Sequence, residues 1–153
     1  MSLDRDIAAL ASVEILSDLS NDELRLLAFG AEQMDFRAGR TLYREGQLAD
    51  CGFVVIDGVV SLTRRMGTDD VELRTVGANH ILGEMALITQ TNRLTTATAT
   101  QDTQTLRINR NLFRRMLEEY PHTAALLHAK LSLRLGQFLN DIGRMESRFR
   151  SSA

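Results

Sequence analysis

The sequence is poor in the residues that build metal sites and covalent cross-links. It contains one cysteine, Cys51, and no tryptophan. A single thiol excludes a disulfide within the chain and a zinc or iron–sulfur site built from several cysteines. The three histidines are scattered, and no His-x-His pair is present of the kind that metal-dependent jelly-roll enzymes use. No serine, cysteine or lysine stands beside a base in a nucleophile motif. We therefore predict no metal, no cofactor and no catalytic residue.

Long apolar runs and a strong excess of one charge are also absent. Nowhere are there eighteen consecutive apolar residues, and the chain does not start with a basic segment followed by an apolar one. The formal net charge of −2 offers no long-range attraction for nucleic acid. These absences predict a soluble, cytoplasmic protein that binds neither membranes nor nucleic acid.

Glycine and proline are unevenly placed and divide the chain into three parts. Most of the ten glycines lie between Gly39 and Gly83, and the only proline is Pro121. The glycine-rich part contains short apolar or alternating runs, which are typical of strands, and Asp57-Gly58 between two of them is a hairpin signal. Before the glycine-rich part, apolar residues have helical spacing, and a capping box spans Ser20 to Glu23. Helical spacing is found again after the glycine-rich part.

These patterns predict an α+β fold in a single domain covering residues 1–153. An antiparallel, jelly-roll-like β-roll of about eight strands is expected over about 31–108. Helices are expected over about 4–30 at the N-terminal side, and two C-terminal helices, a B helix and a longer C helix, over about 110–149.

Apolar residues on the last predicted helix are spaced alternately three and four positions apart. This spacing is typical of a seam along which two helices pair, so it predicts a homodimer. Packing of the same residues against the chain's own β-roll is the alternative. The residues are Ala124, Leu127, Leu131, Leu135, Phe138, Ile142, Met145 and Phe149.

One acidic and one basic residue, Glu84 and Arg93, interrupt an otherwise uncharged stretch from Leu82 to Thr100. A helical turn after Gly83 would present free backbone N–H groups, which stabilise an anion. Arg93 would add a planar donor suited to a phosphate, and Glu84 an acceptor for a hydroxyl. Together they predict a site for a ribose-phosphate group. A structural salt bridge between Glu84 and Arg93 is the alternative.

The segment GEMALITQTNRLTTATA, Gly83 to Ala99, resembles the phosphate-binding cassette of cyclic nucleotide-binding domains. This family includes the regulatory subunits of protein kinase A and the bacterial catabolite activators. Its pattern is Gly-Glu-x-Ala-Leu, followed after a few residues by Pro-Arg-x-Ala-Thr. The residues that fall on this pattern are Gly83, Glu84, Ala86, Leu87, Arg93 and Thr96.

The resemblance implies that Glu84 accepts the ribose 2′-hydroxyl and that Arg93 pairs with the cyclic phosphate, with the amides of Ala86 and Leu94 beside it. Asn92 stands where the family usually has proline, which leaves the backbone before Arg93 less constrained. Leu94 stands where members selective for cyclic GMP tend to have threonine, so cyclic AMP is the expected ligand and cyclic GMP a possible one. The full predicted ligand-binding set is Gly83, Glu84, Ala86, Leu87, Arg93, Leu94, Thr95, Thr96, Leu62, Leu73 and Leu82.

The resemblance favours a non-catalytic sensor that signals to an unknown effector protein through movement of its C-terminal helix. The alternative is an orphan domain of the same fold, without ligand, that serves as an interaction or dimerisation module. A transcription factor of the catabolite activator type carries a helix-turn-helix after the long helix. Only a few residues follow Phe149, so DNA binding of that type is expected only if the chain is part of a longer protein.

Overall fold

The structure, a computed structural model, describes residues 3–152, with side-chain surroundings for residues 3–147. Residues 1, 2 and 153 of the predicted domain lie outside the described part. Two helices come first, and Ser20 and Glu23 cap the second one reciprocally, as the sequence predicts. The helices are α1 (Leu3–Ala11), α2 (Asn21–Gly30), α3 (Arg110–Glu119) and α4 (Pro121–Ser152), with short 3₁₀ helices at Glu14–Leu16 and Glu84–Leu87.

Between α2 and α3, the described residues form ten strands. Two antiparallel sheets have the strand orders β1-β10-β4-β7 and β2-β9-β5-β6, and the two-residue strands β3 and β8 pair separately. The strands are β1 (Glu32–Phe36), β2 (Thr41–Tyr43), β3 (Leu48–Ala49), β4 (Cys51–Asp57), β5 (Val60–Met66), β6 (Asp69–Val76), β7 (His80–Leu82), β8 (Thr91–Asn92), β9 (Thr96–Ala99) and β10 (Thr103–Asn109).

The predicted α+β fold with an antiparallel β-roll is confirmed. The roll has ten strands rather than eight because β3 and β8 contain only two residues each, which is too short for an alternating pattern to be visible in the sequence. The two larger sheets face each other without joining into one closed barrel.

Alternation along the central strand β4 separates two apolar cores. Phe53 and Val55 belong to the cluster between the two sheets. Val54, between them in sequence, belongs to the cluster formed with the helices on the outer face of the first sheet. Successive side chains of a strand point to opposite faces, so a strand that is apolar on both faces is expected where both are covered.

The long helix α4 packs against its own domain. Leu127 and Leu131 lie in the helix-covered core, and Ile142 is also buried. The apolar stripe that predicted a homodimer is therefore turned inward in this structure, and the intramolecular alternative describes its packing. The remaining stripe residues Ala124, Leu135, Phe138 and Met145 are half-buried, and Phe149 lies outside the described side chains.

Other leucines of α4 lie on its exposed side, among them Leu126, Leu133 and Leu139. The spacing of three and four suits any helix that buries one face, whether against a sheet or against another helix. No helix within residues 3–152 has both the length and the apolar character needed to cross a bilayer.

Candidate ligand-binding site

A cavity of about 390 Å³ lies between the segment from Gly83 to Thr95 and the helix α4. Leu62 of β5 and Leu82 of β7 line it from the β-roll, while Leu135 and Phe138 line it from α4. Its volume falls within the range of roughly 300–1,000 Å³ that small-molecule sites occupy. The fold therefore places the segment that contains Glu84 and Arg93 on the wall of a cavity.

The first wall of the cavity begins at Gly83, whose backbone is left-handed with φ of +69°. A Cβ atom added there would lie 2.2 Å from Nη1 of Arg93. The positive φ therefore favours glycine, and any larger residue would have to displace the Arg93 guanidinium. The chain then turns through the 3₁₀ helix, in which the Ala86 amide donates to the Gly83 carbonyl at 3.1 Å.

The side chain of Arg93 is buried, with 7% of its surface exposed. Its Nη2 donates to the Cys51 carbonyl at 2.8 Å and approaches the Cys51 sulfur at 3.3 Å. Its Cζ lies 4.2 Å from the centre of the Tyr43 ring, which is a cation–π contact. Among the described residues, Arg93 has no carboxylate within salt-bridge distance, and its buried Nη1 has no hydrogen-bond partner.

The two side chains that contact the Arg93 guanidinium are those of Tyr43 and Cys51. Burial raises the pKa of the Tyr43 hydroxyl and of the Cys51 thiol, and the Arg93 guanidinium opposes this shift in both cases. Neither group therefore supplies the negative charge that a buried cation needs. Because burial of an uncompensated ion costs several kcal/mol, the site as built favours an anion at Nη1.

Glu84 does not pair with Arg93. Its Oε1 forms an ion pair with Nε of Arg134 on α4 at 3.3 Å. The structural Glu84–Arg93 salt bridge, the alternative prediction, is thus not present. Instead the acidic residue of the motif contacts the helix that covers the cavity.

The backbone of the 3₁₀ helix is also held from the side of α3. Nε of Arg110, the first residue of α3, donates to the Ala86 carbonyl at 2.8 Å, and its Nη2 donates to the Ala49 carbonyl. The cavity wall is therefore tied to both C-terminal helices, to α3 through Arg110 and to α4 through Glu84.

The structure brings eight of the eleven predicted ligand-binding residues to the cavity. Leu73, Leu87 and Thr96 do not line it. The Leu87 side chain is buried in the helix-covered core, and the Thr96 hydroxyl accepts from the Glu45 amide at 2.9 Å. The eight residues that line the cavity are Leu62, Leu82, Gly83, Glu84, Ala86, Arg93, Leu94 and Thr95.

Leu73 is replaced at the cavity by its neighbour Arg74. Arg74 is paired with Leu62 across the two strands, next to a register shift that leaves one extra residue, Leu73, in β6. Cross-strand partners share one face of a sheet, so Arg74 follows Leu62 to the cavity, while Leu73 is left unpaired between Glu72 and Arg74.

Several lining residues were not identified as ligand-binding from the sequence, among them Tyr43, Arg74, Arg134, Leu135 and Phe138. The Cζ of Arg74 lies 5.8 Å from the centre of the Phe138 ring. Phe138 was noticed only as a member of the helix stripe. Within residues 3–147, no cluster of three or more histidine, cysteine, aspartate or glutamate side chains is suited to a metal ion.

Comparison with known proteins identifies the family to which the chain with this site belongs. The sequence model of the cyclic nucleotide-binding domain matches residues 33–120, which is more than half of the chain. The protein belongs to the family of cyclic nucleotide-binding domains.

The chain is similar to proteins of several different kinds and lengths. A cyclic nucleotide-binding-like protein of Brucella abortus is 49% identical, with a TM-score of 0.68, over 74% of this chain and 97% of that one. The regulatory domain of protein kinase A from Toxoplasma gondii, solved with cyclic AMP, is 25% identical with a TM-score of 0.73, over 85% of this chain and 49% of that one. A lysophospholipase of Neurospora crassa is 24% identical over 91% of this chain, which spans only 9% of that protein.

Proposed function

We propose that the protein is a non-catalytic sensor of a cyclic nucleotide, most readily cyclic AMP. The observation that carries this proposal is the buried guanidinium of Arg93, whose Nη1 has no partner among the described residues and faces Gly83 at the cavity wall. A cyclic phosphate placed there would supply the missing negative charge and accept a charge-assisted hydrogen bond.

The sugar would be held by Glu84. An ionised carboxylate only accepts hydrogen bonds, so it selects a donor such as the ribose 2′-hydroxyl. Glu84 and Arg93 line the same cavity, and no direct ion pair joins them. A ligand carrying a hydroxyl and a phosphate close together therefore suits both groups at once.

The base would lie toward α4, where Leu135 and Phe138 line the cavity and Arg74 of β6 lies beside the Phe138 ring. Leu94, next to Arg93, has no side-chain group that could bond the amino group of guanine, which supports cyclic AMP over cyclic GMP. A ligand that contacts α4 can shift its position only through preferential binding to one arrangement of the helix. The proposal also includes three further points. The protein signals to an effector protein through α4, it forms a homodimer, and it is located in the cytoplasm.

Titration calorimetry with cyclic AMP, cyclic GMP and 5′-AMP tests the proposal. We expect saturable binding of cyclic AMP, weaker binding of cyclic GMP, and the weakest binding of 5′-AMP, which lacks the cyclic ester. The absence of binding by every cyclic nucleotide would exclude the sensor.

An orphan interaction module is the second candidate. The observation in its favour is the Glu84–Arg134 ion pair, which satisfies the carboxylate within the chain. The two candidates differ in thermal unfolding, because a ligand of the native state raises the melting temperature and a non-ligand does not.

A further inference from the structure

A second arginine, Arg64 on β5, contacts three separate parts of the molecule. Its Nη1 donates to the Leu94 carbonyl at 2.7 Å and lies 3.6 Å from the Glu45 carboxylate. Its Nε lies 3.4 Å from Oε1 of Glu146 near the end of α4. One planar guanidinium therefore joins the cavity wall, the turn after β2 and the distal part of the covering helix.

The contact with Leu94 is a contact with the ligand site. Leu94 directly follows Arg93, and both line the cavity. Any movement of the Arg93 backbone on binding an anion would move the Leu94 carbonyl and, with it, the Arg64 guanidinium.

The contact with Glu146 lies beyond the cavity. Glu146 is five residues after Asp141, the last described residue of α4 that lines the cavity, and five residues of α-helix span about 7.5 Å. A contact further along α4 limits the tilt of the helix more than a contact at the cavity does, because the same tilt moves the distant residue further.

The third partner orients the guanidinium. Oε1 of Glu45 accepts from the backbone amide of Arg65 at 2.8 Å, so Glu45 is fixed to β5 beside Arg64. Arginine can donate in several directions from one rigid plane, whereas lysine presents a single point charge. The arrangement thus requires arginine rather than any cation.

We propose that Arg64 is a positioning residue that clasps α4 over the cavity and couples its position to the cavity wall at Leu94. The restraint of α4 by Arg64 is inferred from the contacts of Arg64 alone. The change of this restraint on ligand binding depends on the proposed cyclic nucleotide function.

The test compares Glu146→Gln with Asp70→Asn, and Arg64→Gln with Arg65→Gln. Arg65 and Asp70 form an ion pair of the same kind on neighbouring residues, but with 59% and 68% of their side chains exposed against 24% and 33% for Arg64 and Glu146. Both substitutions on the Arg65–Asp70 pair therefore control for the loss of an ion pair without a contact to α4.

The first readout is hydrogen exchange of the α4 amides in ligand-free protein. We expect Glu146→Gln and Arg64→Gln to speed exchange in residues 139–147 by about two- to fivefold, the factor that one partly exposed ion pair supports. The two controls should leave it unchanged. Equal exchange in Glu146→Gln and Asp70→Asn would overturn the clasp, whether or not the protein binds a nucleotide.

The second readout is the dissociation rate of cyclic AMP. Glu146→Gln does not touch the cavity wall, yet it should accelerate dissociation by about two- to fivefold if the clasp retains α4 over the ligand. An unchanged rate, with cyclic AMP bound by the wild type, would refute the coupling while leaving the sensor intact. If the wild type binds no cyclic nucleotide, the sensor fails and the exchange experiment still decides the clasp. Because Glu146→Gln alters only a half-exposed side chain, the test also stands if Arg64→Gln does not fold.

Discussion

Arg93 lies on the face of the Tyr43 ring, with 4.2 Å between the guanidinium carbon and the ring centre. The two residues come from opposite ends of the β-roll sequence, and the pairing of β2 with β9 brings their segments together. The ring holds the guanidinium from one side, while the Cys51 carbonyl holds Nη2. Nη1 is thereby left directed at the cavity wall.

The first prediction concerns this ring. Tyr43→Leu removes the π face, so it should weaken cyclic AMP binding by about 0.5–2 kcal/mol, the range of cation–π contacts between exposed and desolvated sites. Tyr43→Phe keeps the face and should bind nearly as the wild type does. Calorimetry on both variants makes the comparison. Equal losses in the two would mean that the hydroxyl, and not the ring, supports Arg93.

The second prediction concerns Gly83. Gly83→Ala adds a methyl group at 2.2 Å from Nη1 of Arg93 and places alanine at a positive φ. Gly39→Ala is the matched control, because Gly39 has φ of +90° and nothing within 4 Å of an added Cβ. Urea unfolding should show a loss of about 1–2 kcal/mol in both variants from the backbone strain alone. Only Gly83→Ala should also reduce cyclic AMP affinity, by at least about tenfold. Retained affinity in Gly83→Ala would show that Arg93 can leave its place without consequence.

The third prediction separates the sugar from the phosphate. Glu84→Gln should weaken cyclic AMP by about 1.5–3 kcal/mol, the range for a hydrogen bond to a charged group. The same substitution should hardly change the affinity for 2′-deoxy-cyclic AMP, because that analogue lacks the hydroxyl that Glu84 would accept. A similar loss with both ligands would assign Glu84 to holding α4 through Arg134 and not to the sugar.

The fourth prediction concerns the two sides of α4. Leu131 is fully buried and Leu133 is 65% exposed. Leu131→Ala should lower the free energy of unfolding by about 2–5 kcal/mol, whereas Leu133→Ala should change it by less than about 0.5 kcal/mol. Chemical denaturation checks both values.

The same helix bears on the oligomeric state. If the protein is a homodimer through the exposed side of α4, Leu133→Glu should convert it to a monomer in sedimentation while the fold persists. A dimer that survives Leu133→Glu would require a different surface.

The sequence was most informative about those site residues that lie close together in the sequence. Gly83, Glu84 and Arg93 lie within one short segment, so their spacing could be read directly, and all three line the cavity. Tyr43 and Arg134 could not be found in this way. They reach the cavity through strand pairing and through the path of α4, and neither leaves a local pattern.

Two expectations depended on which way a side chain points. The family resemblance implied Leu73 at the ligand, but the cross-strand pair of Leu62 with Arg74 places the arginine at the cavity. A shift of one residue exchanges the two faces of a strand, and the irregularity after Leu62 has no signature in the sequence. The stripe of α4 was ambiguous for a related reason, since spacing identifies a buried face without identifying what covers it.

The most direct measurement is the affinity of cyclic AMP for Arg93→Gln beside Arg65→Gln, determined by calorimetry under one salt concentration. Arg93→Gln removes the buried charge, and Arg65→Gln removes an exposed arginine that does not line the cavity. We predict a loss of about 10- to 150-fold for Arg93→Gln, equivalent to about 1.5–3 kcal/mol, and no measurable change for Arg65→Gln. Wild-type affinity in Arg93→Gln would contradict the account.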